Sequence, residues 1–282
     1  AAVSDRALPY EFVVLNNSVP NAWALPGGKI AVNRGLLVEL ESEAELAAVL
    51  GHEIVHAAAR HGALAMQRGL LLQGAVLATA VAAQGGNYSN LALGAASIGA
   101  QLINQRHGRA AELESDLYGM RYMSAAGYDP QAAVSLQQTF VRLSEGRGDE
   151  GWLAGLFASH PPSAESVERN RETAAALPAG GELGRERYQE ATRQLRARQP
   201  AYEAHDAARR ALAENRPDEA RRRAEEALRL LPEEALIHGL LGAIEYAERR
   251  YEPAVRHYTA AIARDDRFFY YPLRKGLAHQ QL

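Results

Sequence analysis

Ser42-Glu43-Ala44-Glu45-Leu46-Ala47-Ala48-Val49-Leu50-Gly51-His52-Glu53-Ile54-Val55-His56 reads as one amphipathic helix with two histidines on it. Ser42 is an N-cap residue, and Glu45 three positions on completes a capping box. Leu46, Val49, Leu50 and Ile54 recur at helical spacing and form one apolar stripe. The helix is expected from about Glu43 to Arg60, with Gly62 as its stop. His52 and His56 stand one turn apart on the same face, so both imidazoles can reach a single metal ion. Glu53 lies beside them, placed to accept a proton from an attacking water. Imidazole ligands suit zinc, whose catalytic sites take three protein ligands and keep one position open. Two incidental histidines are the plain alternative.

A third ligand has to come from elsewhere. One zinc class takes a histidine six residues after the second, with a glycine between. Here those positions are Gly62 and Ala59, so that arrangement is absent. His61 is one residue off, and reads as a surface histidine or one that supports the site from behind. The other solution is a glutamate from a later helix, and Arg109-Ala110-Ala111-Glu112-Leu113-Glu114-Ser115-Asp116 opens one. Glu112 and Asp116 share a face, whereas Glu114 stands about 200° round the helix from Glu112. Glu112 is the expected ligand, and Asp116 the carboxylate that holds a ligand imidazole by its other nitrogen. A solvated helix start would carry the same acids. Arg109, one turn before Glu112, is placed to pair with it or with a neighbour.

Working outward, the chain has 282 residues, room for two domains at roughly 150 each. With 47% hydrophobic and 23% charged residues its composition is globular. A net charge of −3 provides no basic field for nucleic acid. Cysteine is absent, which removes disulfides, iron–sulfur clusters, thiolate zinc sites and a Cys nucleophile. The sequence starts at Ala1 without Met, so either a trimmed cytosolic chain or a removed signal peptide is expected. No apolar run reaches the roughly 18–20 residues of a membrane helix.

Ahead of the helix, Glu11–Leu15, Trp23–Leu25 and Lys29–Val32 read as strands, with Pro26-Gly27-Gly28 as a turn. Behind it, residues 69–103 are apolar but broken by glycine. They read as two helices around Gly85-Gly86-Asn87-Tyr88-Ser89-Asn90, either a buried hairpin or one that touches a membrane. Helices follow from about Arg109 to Ala126, closed by Gly127, and from about Pro130 to Leu143, then a polar loop at 144–151. Pro178-Ala179-Gly180-Gly181 divides the chain into domains 1–179 and 180–282. In the second, Ala220, Ala224 and Ala227 return as Ala254, Tyr258 and Ala261 about 34 residues later, and Gly242 returns as Gly276. These are the small-residue positions of a tetratricopeptide repeat (TPR), whose units stack around a concave binding face. A plain helical bundle is the alternative. Arg209-Arg210 and Arg221-Arg222-Arg223 are interleaved with acids, which fits a salt-bridged surface rather than an RNA site.

Four segments together resemble a known family: Asn21-Ala22-Trp23-Ala24-Leu25-Pro26-Gly27-Gly28, Arg34-Gly35-Leu36-Leu37, Glu45 through His56, and Arg109-x-x-Glu112-x-x-Ser115-Asp116. It is the gluzincin metallopeptidase family 48, that of the heat-shock protease HtpX, the mitochondrial protease Oma and the CAAX prenyl protease. The resemblance covers about residues 8–175. With a repeat domain attached and no membrane span, it is most similar to the periplasmic BepA type, which acts in quality control of outer-membrane proteins. The resemblance implies His52, His56 and Glu112 as ligands of one Zn2+ per chain and Glu53 as general base. Trp23 stands where the family usually has Phe, and Ser115 where it usually has Ala. Ser159-His160-Pro161-Pro162-Ser163 resembles a later His-Pro motif of the family. That implies that His160 faces the metal, as a catalytic oxyanion stabiliser or as occupant of the open position in a latent state; an ordinary loop histidine is the alternative. The arginine that often follows six residues later is Ser166 here, with Arg169 three further on.

The expected chain is α+β, mainly α: a zincin-like metalloprotease domain with a small early β-sheet, then an all-α TPR solenoid. The expected activity is zinc-dependent cleavage of misfolded or misassembled envelope proteins in the periplasm. Lys29–Val32 would offer a sheet edge to an extended substrate. Residues 69–103 and 144–151 would act as lids, and 69–103 would give peripheral membrane contact. The repeats would dock substrate or the outer-membrane assembly machinery, with no role for nucleic acid. The rival is a chaperone-like TPR adaptor with a latent or self-inhibited zinc site.

Overall fold

A computed structural model of the chain describes residues 1–65, 67, 108–146 and 164–282. Three short strands come first: β1 (Glu11–Leu15), β2 (Ala22–Leu25) and β3 (Lys29–Asn33). β2 and β3 form an antiparallel hairpin whose turn passes through Gly27 and Gly28 at φ +95° and +94°, a region L side chains avoid. β1 then joins the other side of β3 in parallel, giving the order β1-β3-β2. The expected edge role of Lys29–Val32 is therefore corrected. β3 is central, and both of its hydrogen-bonding sides are taken.

α1 (Arg34–Glu39) leads into α2 (Glu43–Ala58). The Ser42 hydroxyl accepts the Glu45 backbone N–H at 3.1 Å, and the Glu45 carboxylate accepts the Glu41 N–H at 2.6 Å. The cap is thus built as expected, with the glutamate reaching one residue further back. α2 stops at Ala58 rather than Arg60, because Arg60 takes a left-handed φ of 60°. Gly62 does not end it. α3 (Arg109–Ala125) is closed by Gly127 at φ +89°. α4 (Gln131–Gly146) continues through Ser144–Gly146, where a loop was expected, and α5 (Ala164–Ala176) follows the undescribed 147–163.

Leu36, Leu40, Val49, Met120, Met123, Leu136 and Tyr188 share one core, while Ile30, Ile54, Val55 and Tyr122 form a second against the sheet. Each such burial contributes about 1.5–3 kcal/mol. α2 and α3 touch backbone to backbone: a Cβ on Gly51 would lie 2.6 Å from the Gly119 carbonyl oxygen, and one on Gly119 would lie 2.8 Å from the His52 nitrogen. That close approach sets the histidine helix against the middle of α3.

The chain divides into compact units Ala1–Thr192 and Arg193–Leu282. The division falls later than Pro178–Gly181 because the residues after it pack on the first unit. Ala44 N–H donates to the Leu183 carbonyl at 3.1 Å, and the buried Tyr188 hydroxyl donates to the Leu37 carbonyl at 2.7 Å. α6 (Arg185–Ala197) straddles the division.

The second unit is all helix: α7 (Gln199–Ala213), α8 (Pro217–Leu230), α9 (Ala235–Ala247), α10 (Tyr251–Arg264) and α11 (Tyr270–His279), each packed on the next. Ala220, Ala224, Ala227, Ala254, Tyr258 and Ala261 are all 0% exposed. The turns before α8 and α10 pass through Asn215 and Arg249, whose φ values are 58° and 59°. Arg221 pairs with Glu245 and Glu248, and Arg223 with Glu226, so two arginines of this basic run are held in ion pairs. No helix among the described residues is long and apolar enough to cross a membrane.

Candidate metal centre

α2 presents His52 and His56 one turn apart, and the first turn of α3 presents Glu112. The two Nε2 atoms are 3.0 Å apart. His52 Nε2 is 3.5 Å from Glu112 Oε2, and His56 Nε2 is 3.4 Å from Glu112 Oε1. One donor atom from each residue falls within 4.8 Å of the others. Four donors around zinc at about 2.0–2.1 Å stand roughly 3.3 Å apart in a tetrahedron, so this spacing fits the ion. The chemistry fits as well. Asp116 Oδ1 lies 2.9 Å from His52 Nδ1; a carboxylate only accepts, so Nδ1 carries the proton and Nε2 offers a lone pair. Lone pairs converging beside a carboxylate call for a cation.

Electrostatics agree. Burial alone would lower the His52 pKa, but hydrogen bonds to Asp116 and Glu112, and their charges, outweigh it and hold the imidazole well above its ordinary range. The two carboxylates thus favour a second proton on His52, and a metal ion held by Nε2 would take the place of that proton. Glu53, next to His52 in α2, is 3% exposed.

Asp116 is itself held: its Oδ2 accepts from the Asn170 amide of α5 at 3.3 Å. Behind His56 stands His61, Nδ1 to Nδ1 at 3.0 Å. His61 Nε2 in turn lies 3.3 Å from Glu114 Oε2. Arg109 pairs with Glu165 of α5, and Arg169 pairs with the same glutamate at 3.2 Å. His160 and residues 69–103 lie outside the described residues.

The structure thus brings His52, His56, Glu112 and Asp116 together. Sequence reasoning did not find Asn170, although Ser166, Asn170 and Ala174 form a buried i, i+4, i+8 stripe, and an amide in such a stripe needs a polar partner.

Residues 1–174 match the model of peptidase family M48. The chain is 30% identical over 186 residues to a putative beta-barrel assembly-enhancing protease of Vibrio cholerae, covering 63% of this chain and 37% of that protein. It is 34% identical over 174 residues to the mitochondrial metalloendopeptidase OMA1 of Schizosaccharomyces pombe, covering 61% and 49%. It is 31% identical over 171 residues to the metalloprotease YcaL of Escherichia coli, covering 60% and 63%. The match spans less than two thirds of each relative.

Proposed function

The chain belongs to peptidase family M48, and from that premise we propose that it is a zinc-dependent endopeptidase. The observation that carries this reading is the convergence of His52 Nε2, His56 Nε2 and the Glu112 carboxylate within 4.8 Å. These three residues would hold the ion, with Asp116 fixing the His52 ring. Zinc bound there supplies Lewis-acid polarisation of the scissile carbonyl and a more acidic water. Glu53 takes the proton from the attacking water and passes it to the departing amine, as general base and then general acid. β2, an edge strand among the described residues, offers backbone groups to an extended substrate.

Substrates are proposed to be misfolded or misassembled proteins of the bacterial envelope, and the site of action the periplasm. This is supported by similarity to a protein named for beta-barrel assembly. Arg193–Leu282 is read as a TPR unit that docks substrate or an assembly partner. Support comes from the fully buried Ala220/Ala224/Ala227 and Ala254/Tyr258/Ala261 sets and the matching left-handed turns at Asn215 and Arg249.

Glu53→Gln tests the chemistry. The variant should retain zinc by metal analysis and lose at least about 100-fold in the rate of casein cleavage. Undiminished cleavage with zinc bound would refute the role of Glu53.

A further inference from the structure

We infer that His61 is a positioning residue: it fixes the tautomer of His56 that turns the Nε2 lone pair toward His52 and Glu112. This rests on the proposed metal-holding role of those three residues. The two Nε2 atoms of His52 and His56, 3.0 Å apart, can both present lone pairs only when they hold the ion together. No ion would sit between the two Nδ1 atoms of His56 and His61, also 3.0 Å apart; a neutral imidazole carries one N–H, so one of them must donate and the other accept. Glu114 decides which. Its carboxylate, 3.3 Å from His61 Nε2, only accepts, so His61 carries its proton on Nε2. His61 Nδ1 is then the acceptor, and His56 must donate from Nδ1, which leaves its Nε2 bare. In the opposite arrangement the His61 Nε2 lone pair would face the carboxylate, and a His56 Nε2–H would point into the convergence of donor atoms. The buried Ser115 hydroxyl, 3.5 Å from His61 Nδ1, approaches the same accepting atom.

His61 is not an incidental surface histidine. Its side chain is 9% exposed, whereas Glu114 at the far end is 48% exposed. The left-handed turn at Arg60 brings it back over the end of α2. The two histidines thus reach the same state by different routes. His52 is held directly by Asp116, and His56 by an imidazole whose far nitrogen meets a surface carboxylate.

Zinc affinity of the full chain, measured by competition with a chelator, tests this. His61→Leu keeps the bulk without a ring nitrogen and should weaken zinc about tenfold or more. His61→Asn, with an oxygen near the Nδ1 position, should recover most of the loss. Melting of both metal-free variants should match the wild type. Ring-nitrogen NMR of the zinc-loaded wild type should show His61 protonated on Nε2 and His56 on Nδ1, which decides the matter even if His61→Leu does not fold. Wild-type affinity in His61→Leu, equal losses in the Leu and Asn variants, or His61 protonated on Nδ1 would overturn the inference. A wild-type chain that takes up no zinc would instead overturn the centre on which it rests.

Discussion

Glu45 caps α2 with a buried carboxylate, and burial pushes its pKa up against the lowering effect of hydrogen bonds from Glu41 and Ser135. A raised folded pKa means that the native state keeps a proton the unfolded chain has released. The stabilisation is complete below the unfolded value of about 4.3 and is lost as pH rises through the folded one. Glu45→Gln keeps the acceptor for Glu41 and removes the charge. It should be at least as stable as the wild type near about pH 7, with the difference shrinking toward about pH 4.5 in urea unfolding. A variant weaker at the higher pH would contradict the buried charge as the cost. At this scale, what depended only on helix geometry was readable in advance: the His52/His56 pair, the Glu112/Asp116 pair and the Ser42 cap. The placement of His61 was not, because it follows from the left-handed φ at Arg60. Such a backbone costs an arginine about 1–2 kcal/mol, and no local signal announces it.

Between elements, the Gly51/Gly119 contact sets how closely the histidine helix approaches the glutamate helix. Gly119→Ala puts a methyl 2.8 Å from the His52 nitrogen, a backbone atom that cannot rotate away. The expected cost is about 1–3 kcal/mol of stability. Zinc affinity should fall too, since parting the helices moves Glu112 away from both imidazoles. Urea midpoint and chelator competition measure the two effects. Unchanged values for both would mean that the crossing does not position the site. Glycine at either position looks like a weak helix residue in the sequence, and only the crossing gives it meaning. The sheet shows a similar limit. Alternation and turn residues mark all three strands, but β1 pairs with β3 and not with β2, its neighbour in sequence. Pairing order is a tertiary outcome that strand pattern does not encode, so the central strand was read as an edge.

The whole molecule has two compact units, and the candidate metal centre lies entirely in the first. A ligand that binds only the folded form stabilises it by about 4 kcal/mol at a thousandfold excess over its dissociation constant. For a unit of this size that raises the melting temperature on the order of 10 °C. The second unit has its own core, centred on Ala208, Ala220, Ala224, Ile237 and Ile244, and no share of the proposed ligands. Calorimetry of the full chain should therefore show two transitions, of which zinc raises one and leaves the other in place. Gly119→Ala identifies the first unit, because it should lower the zinc-responsive transition alone. A single transition that moves as a whole would show that the units unfold together. Two transitions that ignore zinc would remove the metal centre from the first unit, and with it the proposed chemistry.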